Sequence, residues 1–387
     1  MANVLWLASW YPNKTSPFDG DFIERHAKAV SNFHTITVLF VVKDALLPDG
    51  KLVIEKQTEN NVTVYRGYYG LSLSINFFEK FISFRKYKRY QKIIYNQICL
   101  EQGKPDILHV QVAMKAGLLA LFLKKKFNIP FLVTEHWSGY YKYCKPNVYS
   151  GNWWLNRLNK KVLQQSKMFI TVSENLGQTI NKDFVMAPFK VIPNVVDTNL
   201  FFYQPAKPQR FRFIHPSGMV PVKNPEGILT ACKLVKEKGY DFELLMLGAE
   251  NDVLLSLAKQ LNIYNITVFF KGIVSYAEVA KEMQQSSSLL MFSRHENMSC
   301  VVLEALCCGL PVIGTRVGGM PEVIIDANGL LVESENISAL ADAMCKMIDS
   351  YHSYNRTAIA AAASALFNYD AVGKQHEAIY ETIIAAV

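Results

Sequence analysis

The chain has 387 residues, half of them hydrophobic, a formal net charge of +8 and seven cysteines. That length and composition suit two ordinary domains, each with a core of its own, and no apolar run approaches the roughly 18 residues needed to span a bilayer. An odd cysteine count with no C-x-x-C spacing and no histidine partners argues against a disulfide framework or a zinc site, and the positive charge favours acidic partners: a phosphorylated substrate, an anionic membrane surface or nucleic acid.

The first residues, Met1 to Ala8, lack a basic leader and read as a first strand (VLWLASW, 4–10), which makes the cytoplasm the expected compartment. The loop behind it carries Asp19-Gly20-Asp21. This is formally a D-x-D metal motif, but its place after a first strand favours a loop glycine and a helix cap. Strands follow at 36–42, 62–67, 106–111, 130–136, 167–173 and 190–194, most of them separated by helical stretches. His109 and His136 close two of these strands, at carboxyl ends where ligands of such sheets bind. Between the strands at 62–67 and 106–111 lies a segment from Asn76 to Tyr95, with Phe77, Phe78, Phe81 and Phe84 set among Lys80, Arg85, Lys86, Lys88, Arg89 and Lys92. It has two readings: a helix covering the sheet with a solvated basic face, which we favour, or a helix lying on an anionic bilayer, with Trp153-Trp154 adding to that surface.

Tyr203 to Arg210 has the look of a linker, after which the pattern restarts with strands at 211–217, 242–248, 266–272 and 288–293. Such alternation predicts an α/β protein with two doubly wound, parallel-sheet domains. In the second, Lys223 lies in the loop Gly218-Met219-Val220-Pro221-Val222-Lys223-Asn224, ahead of a helix from Pro225. A lysine there can neutralise a diphosphate beside free helix N–H groups, or be an ordinary surface lysine. Glu296 falls in the loop after strand 288–293, and Glu304 about a turn and a half into a helix from Ser299 to Cys308. Between them the first helical turn offers unpaired N–H groups to an anion.

Pro311-Val312-Ile313-Gly314-Thr315, Gly318-Gly319-Met320-Pro321-Glu322 and Asn328-Gly329-Leu330-Leu331-Val332 follow the Glu pair in order. Together with the carboxylate–seven residues–Glu spacing they resemble the retaining glycosyltransferases of family 4, which have the GT-B fold, and the resemblance covers nearly the whole chain. It implies two Rossmann-like domains facing across a cleft: an acceptor domain at 1–203, onto which the helix 369–387 packs back, and a nucleotide-sugar donor domain at 204–368. It implies transfer of a sugar from a nucleoside diphosphate, UDP favoured, to a glycan or lipid-linked acceptor, without a metal or other cofactor. By the same resemblance Lys223 and the helix start at Asn297, Met298 and Ser299 hold the diphosphate, Glu296 the donor-sugar hydroxyls and Glu304 the ribose. Ile273 and Val274 line the base, Gly218 and Gly20 allow close approach, His136 touches the donor sugar, and His109 supports it from behind.

Two positions depart from the family pattern. Met219 stands where an arginine usually completes the diphosphate clamp, so a charge-assisted contact is missing. Arg294, or the helix dipole alone, is expected to take over. Asn297-Met298-Ser299 replaces Gly-Phe-Gly, where Asn tolerates left-handed backbone and Ser caps helices. The alternatives are a nucleotide-sugar epimerase or hydrolase on the same fold, and a non-catalytic binding protein. Nucleic acid is not an expected partner, because no reader motif accompanies the basic residues, and no G-x-G-x-x-G follows a strand as a dehydrogenase requires.

Overall fold

Two parallel-sheet units emerge in a computed structural model that describes the whole chain except residues 71–76, 151–152, 206–208, 250 and 387, and the side chains of 77–81. Asn76 and the side chains of Phe77, Phe78, Lys80 and Phe81 therefore lie outside the described residues.

The first unit holds eight strands: β1 (Asn3–Ala8), β2 (Thr35–Lys43), β3 (Leu52–Glu59), β4 (Val62–Tyr69), β5 (Ile107–Gln111), β6 (Phe131–Glu135), β7 (Phe169–Thr171) and β8 (Phe189–Val191). Their order is β3-β4-β2-β1-β5-β6-β7-β8. The interior strands β5 and β6 are buried from end to end, as expected where crossover helices cover both faces of a sheet. Those helices are α1 (Asp21–Val30), α2 (Phe77–Gln102), α3 (Gly117–Phe127), α4 (Trp153–Gln165) and α5 (Glu174–Asp183). No strand is expected from the sequence at β3, and the expected parallel sheet is corrected by it. It pairs antiparallel with β4, through a tight turn that places Asn60 in the left-handed region at φ 52°. Its sequence, LVIEKQTE, is largely solvent-facing, so it carries no apolar run to read, and its charges suit an edge strand.

The second unit has six strands, β9 (Phe211–Pro216), β10 (Phe242–Leu247), β11 (Val268–Phe270), β12 (Ser288–Met291), β13 (Val312–Thr315) and β14 (Gly329–Val332), in the order β11-β10-β9-β12-β13-β14. All its pairings are parallel. Its helices are α6 (Pro225–Glu237), α7 (Asp252–Gln260), α8 (Tyr276–Gln284), α9 (Cys300–Cys307), α10 (Met320–Val323), α11 (Ile337–Ser350) and α12 (Arg356–Phe367). The last helix, α13 (Tyr369–Ala385), belongs to the first unit, whose core receives its Val372, Ile379, Tyr380 and Ile383.

The units divide at Val195 and Val196, with 196–368 forming the second, rather than at 203. Residues 196–203 are fastened to the second unit. The N–H of Val196 donates to Phe367 O at 2.8 Å, Gln284 Nε2 donates to Leu200 O at 3.1 Å, and the buried Phe201 ring meets Tyr276 edge-on at 4.9 Å.

Candidate active site

In each sheet the strand order reverses once, between β1 and β5 in the first unit and between β9 and β12 in the second. At such switch points the adjoining loops diverge and leave a crevice at the carboxyl ends of the strands. The loops after β9 and β12 carry Lys223 and Glu296, which is why residues 73 apart in sequence meet: Lys223 Nζ lies 2.5 Å from Glu296 Oε1.

Glu296 is 8 % exposed. Its Oε1 also accepts a hydrogen bond from Ser293 Oγ at 2.8 Å, while the Ser293 carbonyl accepts from Thr315 Oγ1 at 2.8 Å. The main chain here is set by the Gly318-Gly319 pair. Gly318 is left-handed at φ +53°, and a Cβ on it would fall 1.8 Å from Glu296 O; Gly319 N–H donates to Asn297 O at 2.8 Å. The left-handed position of this corner is thus Gly318, and not Asn297, whose backbone is ordinary. Ser299 is the N-cap residue of α9 in extended conformation, without a side-chain cap bond, and Met298 is buried beside it.

Glu304 is buried in α9 and accepts a hydrogen bond from the hydroxyl of Tyr276, the first residue of α8. The residues before Tyr276 form the loop in which Ile273 is exposed and Val274 half-buried.

The Arg294 and Met219 side chains are both engaged by the second unit itself. The Arg294 guanidinium is engaged by Glu226 at 2.7 Å, Asn224 Oδ1 at 3.1 Å, Glu335 and the carbonyl of Pro221, and its backbone N–H donates to Val222 O. It fastens the Lys223 loop to the Glu296 loop, and Glu226 and Glu335 balance its charge in this structure. Met219 is left-handed at φ 52°, and its side chain is buried in the unit's core with Ile228, Met246 and Leu244. A relay sets this backbone. Buried His215 donates from Nδ1 to Leu290 O and accepts from Ser217 Oγ at Nε2, both at 2.9 Å, and Ser217 Oγ accepts from Met219 N–H at 3.1 Å. Burial holds the His215 pKa down to about 4, so it stays neutral. Gly218 has ordinary backbone, and a Cβ there would touch only Val220, at 3.8 Å; the protein itself does not require glycine at that position.

In the first unit Gly20 is the left-handed N-cap residue of α1. A Cβ on it would lie 2.7 Å from the backbone of Trp10, so its own fold accounts for it. Asp21 starts α1, accepts from Phe22 N–H at 2.8 Å and pairs with Arg25 at 3.1 Å. The D-x-D is therefore a loop and helix start, and among the described residues no cluster of three or more His, Cys, Asp or Glu is placed to hold a metal ion. His136 follows β6, half-buried against Phe22, 4.7 Å away, and His26, 5.4 Å away. Burial and the neighbouring imidazoles keep it neutral, against the opposing effect of the Asn194 carboxamide. His109 is fully buried, with its ring nitrogens 2.5 Å from Tyr380 Oη and 2.6 Å from Thr134 Oγ1. It thereby steadies β6, the strand that His136 follows. Ser293, Thr315, Tyr276 and His215 were not singled out from sequence. Ser293, Thr315 and His215 are polar residues at or near strand ends, where ligands of such sheets bind, whereas no pattern marks Tyr276.

Two family models account for most of the chain: glycosyltransferase family 4 over residues 27–200 and glycosyl transferases group 1 over residues 197–364. The chain is a family 4 glycosyltransferase. This glycosyltransferase is 28 % identical over 299 residues to N-acetyl-alpha-D-glucosaminyl L-malate synthase of Bacillus anthracis, covering 72 % of this chain and 75 % of that one. It is 25 % identical over 303 residues to the MMP alpha-(1->4)-mannosyltransferase of Mycolicibacterium hassiacum, covering 74 % and 72 %. Its fold matches that of sucrose-phosphate synthase from Thermosynechococcus elongatus with a TM-score of 0.82 at 18 % identity over the full length of both chains. It matches Anabaena HepE in complex with UDP with a TM-score of 0.72 at 15 % identity, over 98 % and 100 % of the two chains. These neighbours establish the GT-B fold for this glycosyltransferase.

Proposed function

We propose that the enzyme transfers a sugar from a nucleoside diphosphate to an acceptor hydroxyl with retention of configuration and without a metal, in the assembly of a polysaccharide, lipopolysaccharide or glycolipid. The observation that carries this reading is the Lys223–Glu296 pair, formed by the loops that lead into α6 and α9, with Glu304 about a turn and a half into α9. A cation, a helix start and two buried carboxylates provide for the diphosphate, the transferred sugar and the ribose in turn.

Lys223 and the first N–H groups of α9 stabilise charge that builds on the departing diphosphate, an electrostatic contribution that is largest when its groups are fixed in advance. Glu296 then exchanges its lysine for sugar hydroxyls, and Glu304, oriented by Tyr276, accepts from the ribose diol. The loop at Ile273 and Val274 faces the base. With Met219 in the core, Lys223 is the cation of this clamp and α9 supplies the rest. In the first unit His136, neutral at physiological pH, hydrogen-bonds a hydroxyl of the substrates. A lipid-linked acceptor is supported by the exposed Arg85, Lys88 and Arg89 of α2 and by exposed Trp153, which suit peripheral contact with an anionic membrane on the cytoplasmic side. Among the described residues no helix is long and apolar enough to cross a membrane.

The test is thermal stabilisation of the wild type and of Glu304→Ala by UDP-, GDP- and ADP-sugars. One nucleotide series is expected to stabilise the wild type and to lose that effect in the variant. Equal stabilisation of both proteins would remove the assigned donor site. Binding without turnover over an acceptor panel would favour a non-catalytic protein, and sugar release or isomerisation from donor alone an epimerase or hydrolase.

A further inference from the structure

At the switch point of the first unit stands a polar group that the fold itself does not use. Gln111, the last residue of β5, is 1 % exposed. Neither its Oε1 nor its Nε2 has a hydrogen-bond partner among the described residues. A primary amide in that state has given up its water contacts without replacement, so folding alone would favour an apolar residue of similar volume. Leucine would fill the same place in the core.

Its position says what the amide is for. Gln111 pairs in register with Ala8, the last residue of β1, and with Thr134 of β6. Side chains two apart share a face of a sheet, so Gln111 lies on the face of His109, and His136 follows Thr134 on that same face. The residue after it, Val112, is left-handed at φ 67°. That conformation is rare for a β-branched side chain and is retained where surrounding structure imposes it, commonly at functional sites. A carboxamide gives one hydroxyl a donor and another an acceptor, the pattern that neighbouring hydroxyls of a sugar ring require.

We infer that Gln111 is a sugar-binding residue of this enzyme, its carboxamide engaging hydroxyls of a sugar ring at the carboxyl ends of β1 and β5. The inference rests on the glycosyltransferase reading, and the sugar is either the one transferred or one in the acceptor.

The test uses the full chain as wild type, Gln111→Leu and, as a more adaptable apolar replacement, Gln111→Met. Calorimetric titration with UDP and with UDP-hexoses, and saturation-transfer NMR with free hexoses in the presence of UDP, report binding; thermal midpoints report stability. The variants are expected to keep or raise the thermal midpoint and to bind UDP as the wild type does, while sugar affinity falls tenfold or more. A deficit confined to UDP-hexoses assigns the transferred sugar, and one confined to free hexoses assigns the acceptor. Wild-type sugar affinities in the variants, a lowered midpoint with unchanged affinities, or a wild type that binds no sugar overturns the inference. Failure of UDP itself to bind the wild type counts instead against the nucleotide site of the second unit, and the free-hexose arm still decides Gln111.

Discussion

Lys223 and Glu296, each assigned to a different part of the donor, are bonded to one another at 2.5 Å. On the proposed reading a donor parts them, placing an anion at the lysine and hydroxyls at the carboxylate, and until then the pair keeps a buried carboxylate compensated. Lys223→Ala is expected to lower stability by about 1–3 kcal/mol by leaving Glu296 without its cation, and to lower kcat by about 10²–10³-fold through loss of the diphosphate contact. Denaturant titration and steady-state kinetics on Lys223→Ala, Glu296→Gln and the double variant measure both. If the single effects on stability simply add, the two residues are not coupled as described.

Glu304 offers a finer test, because Tyr276 holds it. Hydrogen bonds to a charged group contribute about 1.5–3 kcal/mol, so Glu304→Ala should weaken nucleotide binding roughly 10- to 150-fold. Tyr276→Phe leaves the carboxylate in place but unsteadied, and should weaken binding by less than Glu304→Ala. Titration with UDP orders the three proteins; a Tyr276→Phe loss larger than that of Glu304→Ala would mean that Tyr276 contacts the nucleotide itself.

Restoring the family arginine should fail. The Met219 side chain lies in the core on a left-handed backbone, so Met219→Arg buries a guanidinium among apolar side chains. The expected outcome is a loss of about 3–5 kcal/mol in urea unfolding and no gain in donor affinity. Tighter donor binding at undiminished stability would show that the side chain can turn out towards the phosphates.

The first unit buries His26, His109 and His376 together with His136 at its edge, and all four are held below the ordinary histidine pKa, chiefly by burial. His26 falls to about 4. The groups around it are Asn194, which accepts from it at 3.4 Å, and His376 at 3.3 Å, with Arg25 nearby; Tyr380 and Thr134 surround His109. Groups whose folded pKa is depressed stabilise the fold above their unfolded pKa of about 6.5, and that contribution is lost as pH falls through the folded value. Because the unfolded chain binds more protons in between, stability should fall between about pH 6.5 and 4, by roughly 1.4 kcal/mol per pH unit for each histidine titrating. Urea unfolding across that range checks it, and His376→Phe should flatten the slope.

Most of this architecture could be read before the structure, because parallel strands buried on both faces announce themselves as short apolar runs. β12 at 288–291 and α9 at 300–307 fall within the stretches marked for them. β3 was invisible because an edge strand facing solvent needs no apolar pattern, and the linker was set late because Val196 and Phe201 belong to the second unit by contacts with residues far along the chain. The site was legible as far as its charged residues. Which of them touch was not: Arg294 is expected at the phosphates for its charge, and the partners it has in this structure, Glu226 and Glu335, are placed beside it only by the fold. Glycine in such a loop suggests room for a ligand, but at Gly20 the nearest neighbour of an added Cβ is the chain's own Trp10.

The placement of α13 has a consequence for how the molecule comes to exist. The second unit is continuous in sequence, but the first is built from both ends of the chain, and Tyr380 of α13 supplies the hydroxyl that meets both Trp6 and His109. Chains emerge from the ribosome amino end first, and domains generally fold as units in that order. Here the first unit must wait, with the bed of α13 uncovered, while the whole of its neighbour is made. A segment synthesised after the whole second unit closes the first, so a nascent chain stalled before residue 369 would present a finished second unit and an open first one.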